Sequence, residues 1–192
     1  MNMFIKGRFK NNGSVLVLLV IIISVIMVLG VSLMSTTLLN YQIKKSNVEI
    51  KQSFYMSETG LNKAYAEMLL LIKEAADDSI SKAEEYLFLN PDDVISAADL
   101  YKNNFKLYIL SRISTRINDN SNPEIIIINV ASLYFIGDSL TVSVQSKYIS
   151  SNNIEKTTKV DLKIMILNYS EAISETIDYS NYLKFDNYNI VN

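Results

Sequence analysis

From Val15 to Met34 the chain reads VLVLLVIIISVIMVLGVSLM, twenty residues without a charge or a proline. Twenty helical residues rise about 30 Å, the thickness of a bilayer's hydrocarbon core. Ser24, Gly30 and Ser32 interrupt the run only mildly, and small residues of this kind let neighbouring helices approach closely. Lys6, Arg8 and Lys10 precede the run, and the first charges after it are Lys44 and Lys45. Positive flanks stay in the cytoplasm, so the expected topology is amino terminus inside and the bulk of the chain outside. A cleaved secretory signal fits less well, because the run is longer than an ordinary h-region and no A-x-A site closes it.

The remaining composition narrows the chemistry. The 192 residues suggest one domain plus an appendage. There is no cysteine and no histidine. Disulfides, thiolate and imidazole metal sites and histidine-based triads are therefore excluded. The expectation is no enzyme, no metal and no cofactor. The net charge is −2, which gives no overall footprint for nucleic acid.

Downstream of the span no proline occurs before Pro91. Ile43, Ile50, Phe54, Leu61, Tyr65, Met68 and Ile72 recur at steps of three, four or seven and trace one helical face. One helix from about Ser14 to Ala76 would rise roughly 95 Å. Asp77-Asp78-Ser79 reads as a break, followed by a short helical stretch to about Leu89. Asn90-Pro91-Asp92-Asp93 reads as the start of a further helix, capped by Asn90 and running to about Arg116. The loop 118–123 leads into strand signals at Glu124–Asn129, Leu133–Ile136, Leu140–Val144 and 160–166, with Gly137-Asp138 as a hairpin turn and Ser150–Asn153 as a second turn. The expected fold is α+β: a long amino-terminal helix, its first part membrane-spanning, packed on a small antiparallel meander with an extra helical region. The organisation is leader 1–13, membrane helix 14–34, helix continuation 35–76 and external head 77–192. The tail from Asn168 carries Tyr169, Tyr179, Tyr182 and Tyr188 without a clear pattern.

A basic leader ending in Gly13, a small residue at Ser14, an uncharged apolar helix and the stretch Ser53-Phe54-Tyr55-Met56-Ser57-Glu58-Thr59-Gly60-Leu61 together resemble the amino-terminal region of PilX-like minor pilins of the type IV pilus family. The likeness covers about residues 7–70. It implies a pilin-like fold, cleavage by prepilin peptidase between Gly13 and Ser14, possible N-methylation of Ser14, and packing of the long helix among other pilin subunits. Leu18 occupies the fifth position after the junction, where most pilins have glutamate; this departure points to a minor, tip-associated subunit that initiates assembly or supports adhesion. Glu58 and Gly60 match the family stretch, and Gly30 and Gly60 are candidate packing positions. The partners implied are the membrane, prepilin peptidase and other pilins, with no nucleic acid. The localisation implied is single-pass in the cell membrane and extracellular after assembly. A pseudopilin of a secretion or DNA-uptake system, and an uncleaved single-pass protein with an external binding domain, are the alternatives. The acidic pairs at 77–78, 84–85 and 92–93 read as solvated helix ends, and Lys147, Lys156, Lys159 and Lys163 as part of a mixed surface.

Overall fold

The computed structural model describes residues 12–174 and 177–191. Lys6, Arg8 and Lys10 lie outside them. The chain divides into two compact units, 1–48 and 49–192. In the first, the described residues are all α-helix, the opening part of α1 (Asn12–Leu89).

The second unit is an α+β head. Residues 49–89 of α1 and α2 (Val94–Ile117) form a helical hairpin. α2 buries Ala97, Tyr101, Phe105, Ile109, Ile113 and Ile117, one residue in every four, so a single ridge faces the core. α1 contributes Leu61, Ala64, Met68, Leu71, Ile72 and its buried alanines. The sheet is an antiparallel meander in the order β1 (Glu124–Ile127), β2 (Ser139–Ile149), β3 (Glu155–Met165) and β4 (Leu183–Val191). Alternation explains its two faces: Leu140, Val142 and Val144 pair with Ile164, Leu162 and Val160 on the buried side. β2 and β3 are joined by the turn at 150–153, where Asn153 has φ 60°, a conformation that asparagine tolerates.

Several expected boundaries are corrected. Asp77-Asp78-Ser79 lies inside α1, which continues to Leu89. Ala75, Ala76, Ser79 and Ala83 are buried on the core side, while Asp78 pairs with Lys82 one turn on at 2.8 Å; a buried face outweighs the weak propensity of aspartate and serine. The cap of α2 is Asp93, not Asn90. Its Oδ1 accepts from Ser96 N at 3.1 Å and its Oδ2 from the Tyr86 hydroxyl at 2.8 Å, while Asn90 N closes α1 on Tyr86 O. Leu133–Ile136 is not a strand, and only an isolated bridge joins Ile136 to Ser139. The Asn129 side chain takes its place on the β2 edge, donating to Thr141 O and accepting from Ser143 N. The tail that lacked a pattern supplies a short helix, α3 (Tyr169–Ala172), and β4.

Candidate functional site

In the first unit the described residues of the membrane candidate are exposed. α1 is the one helix among the described residues long and apolar enough to cross a bilayer, and none of its apolar window is buried. Gly13 and Ser14 lie at its beginning. Leu18 is 59% exposed, in line with its apolar neighbours. A Cβ at Gly30 would meet nothing within 4 Å. Three hydroxyls along this part bond within the helix: Ser24 donates to Val20 O at 2.8 Å, Thr36 to Ser32 O at 2.9 Å and Thr37 to Leu33 O at 2.8 Å. With these three donors satisfied inside the helix, an apolar medium does not strand them.

In the head, the stretch of α1 around Ser53–Leu61 presents small residues to the sheet. Ser53, Ser57, Gly60 and Ala64 are buried one after another along one face. A Cβ on Gly60 would overlap the Ser146 hydroxyl and lie 3.0 Å from Ser146 Cβ and 3.1 Å from Pro123 Cγ. Glycine is thus needed here for close approach of helix and strand. The hydroxyls of Ser53, Ser146 and Thr158 are buried without a hydrogen-bond partner among the described residues, an arrangement that costs stability. Glu58 reaches the sheet at the surface: Tyr188 donates to its Oε1 at 2.7 Å. Burial, and then that bond, push the Tyr188 hydroxyl up to about 12. Tyr65 stacks on Phe185 with centroids 4.8 Å apart. Thus β4 closes over α1 through Phe185 and Tyr188, contacts that sequence alone did not reveal.

The Ser79 and Tyr101 hydroxyls are likewise buried without a partner among the described residues, whereas several charged groups of the head pair with one another. A cleft of about 410 Å³ is lined by Lys63, Glu67, Arg116 and Asp119. Lys63 donates to Asp119 at 2.6 Å, and Arg116 pairs with Glu67 at 2.7 Å and Glu74 at 3.2 Å. The Lys63 ammonium and the Ser121 N–H hold the Asp119 carboxyl down at about 2. A carboxyl held that low is a poor general base at neutral pH. No group of three His, Cys, Asp or Glu residues is placed to hold a metal among the described residues. Lys147 pairs with Glu155 at 3.0 Å, and Asp161 separates Lys159 from Lys163 along β3. No protein-family model, no curated protein and no solved structure matches this chain.

Proposed function

We propose that this chain is a minor subunit of the type IV pilin kind, PilX-like, cut by prepilin peptidase between Gly13 and Ser14 and carried at low copy in a fibre, where it initiates assembly or sits at the tip. The observation that carries this reading is a single helix whose first part is apolar and wholly unburied and whose residues 49–89 belong to an α+β head. A helix apolar all round is soluble in lipid, and equally in a bundle of similar helices. That equivalence is what a subunit moving from membrane to fibre requires. Leu18 in place of a membrane-depth carboxylate suits a subunit with no successor amine to neutralise, since an unused charge at that depth costs about 2.5–3.5 kcal/mol. Gly60 and Glu58 fasten the family-like stretch to the sheet, so their role begins with holding the head on its helix.

The test is the intact mass of the protein from cells with and without prepilin peptidase. Loss of residues 1–13 only in its presence, with or without a methyl on Ser14, is the expected result. An uncut chain in both cells overturns the pilin reading and leaves a single-span protein with an external domain.

A further inference from the structure

The charge-free interval of the chain extends well beyond its most apolar part. No Asp, Glu, Lys or Arg falls between Lys10 and Lys44. From Asn12 onward this interval is helical. The 32 residues from 12 to 43 rise about 48 Å, close to the ~40–45 Å of a bilayer with its headgroups. Thr36 and Thr37, which look like the polar end of the span in the sequence, each donate to a carbonyl four residues back. Helical carbonyls that accept them make these residues compatible with the acyl region. Leu38 and Leu39 follow, both exposed.

Asn40 and Tyr41 come next, and the Tyr41 ring is 64% exposed. An amphipathic ring at that depth belongs at the headgroup level. One turn further stand Lys44 and Lys45, both exposed and in no ion pair among the described residues. The nearest acidic residue in sequence, Glu49, accepts from Asn152 at 2.7 Å. Tyr41, Lys44, Lys45 and Val48 recur at three- and four-residue spacing and share one face of the helix. That face combines an aromatic ring, two free ammonium groups and an apolar side chain.

We propose that the membrane-embedded part of α1 ends at Tyr41, and that Lys44 and Lys45 bind the phosphates of anionic phospholipid headgroups on the head side of the bilayer. The proposal rests on the membrane reading above. Two ammonium groups on flexible stems, one helical turn beyond Tyr41, would attract anionic lipid over zwitterionic lipid.

The chain has no cysteine, so a fluorophore can be placed on the full-length protein at Leu38→Cys without competing sites. The labelled protein is reconstituted in phosphatidylcholine nanodiscs containing an equal fraction of either brominated phosphatidylglycerol or brominated phosphatidylcholine. Expected is several-fold stronger quenching by the anionic quencher, lost in Lys44→Gln/Lys45→Gln and kept in Lys44→Arg/Lys45→Arg. Equal quenching by the two lipids, no quenching at Leu38→Cys, or a preference that survives the glutamine pair overturns the proposal. A label at Val20→Cys separates the two failures. If it is quenched, the span stands and only the headgroup site falls; if neither lipid quenches it, the membrane reading falls as well.

Discussion

The two parts of α1 are continuous in backbone and opposite in what surrounds their side chains. From Val15 to Met34 every large apolar residue is 48–77% exposed, whereas Leu61, Met68, Leu71 and Ile72 in the later part are all but inaccessible. The early part is apolar on every face and its described residues are exposed; the later part is apolar on one stripe and packs on α2 and the sheet. Helicity therefore has two sources. In the later part tertiary packing supplies most of it. For the early part, the proposed membrane would supply it, because in hydrocarbon a helix is the one local way to satisfy backbone groups.

Truncation breaks this comparison most sharply. Phe105→Ala, opposite the buried stripe of α1, is expected to destabilise the head by about 3–5 kcal/mol. Leu29→Ala in the early part is expected to leave head unfolding unchanged. Near-ultraviolet circular dichroism of the tyrosines during urea unfolding in detergent reads both. Equal losses would mean that the early part packs on protein.

A charge tests the same contrast from the other side. Ile22→Asp is expected to oppose membrane insertion by about 2.5–3.5 kcal/mol, read as the fraction of chain resisting alkaline extraction. The head fold should be unaffected once the protein is in detergent. Undiminished insertion would remove the span from the bilayer.

The parts differ too in how far the sequence disclosed them. Val15–Met34 is legible because each residue speaks alone: an uncharged apolar run needs no partner to be recognised. The strands around Leu140–Val144 and 160–166 are legible because alternation is local. What stays hidden is whatever depends on a partner distant in sequence. Ser53 and Ser57 carry no apolar signal, yet they are buried because Gly60 lets the sheet come close. Asp77-Asp78-Ser79 has the composition of a break, and only the buried alanines on either side keep it helical. β4 is polar along much of its length, with Asp186, Asn187 and Asn189, so pairing with β3 defines it rather than hydropathy. Of the candidate positions, Gly60 and Glu58 gain sheet partners that no local pattern names, whereas Leu18 and Gly30 keep open surroundings.

Two glycines of one helix sharpen the point at smaller amplitude. Gly60→Ala drives a methyl into Ser146 and Pro123 and is expected to cost the head about 1–3 kcal/mol. Ser146→Ala removes a buried hydroxyl that has no partner among the described residues, so alone it should be neutral or mildly stabilising. Combined with Gly60→Ala it should recover part of the loss, and strict additivity would sink the packing account. Gly30→Ala meets open space and should harm neither the head nor insertion. Lys63→Ala, three residues from Gly60, gives up only an exposed ion pair with Asp119, which solvent screens. Assembly should accordingly suffer more from Gly60→Ala than from Lys63→Ala.

The smallest effect is a pH dependence confined to the head. The Asp119 carboxyl is held at about 2 by Lys63 and the Ser121 N–H, against about 3.9 in an unfolded chain. A depressed folded value means that the unfolded chain takes up the proton first as pH falls, so the stabilisation is complete above about pH 4–5 and fades toward pH 2. The difference in urea midpoint between the native protein and Asp119→Asn should therefore shrink as pH is lowered from 5 to 2. Lys63→Ala should reduce it over the same window, because the ammonium is the largest influence on that carboxyl. A difference that persists undiminished at pH 2 would show that Asp119 acts through neutral hydrogen bonds to the 119–121 turn, and that its charge contributes nothing to fastening α1 to the head.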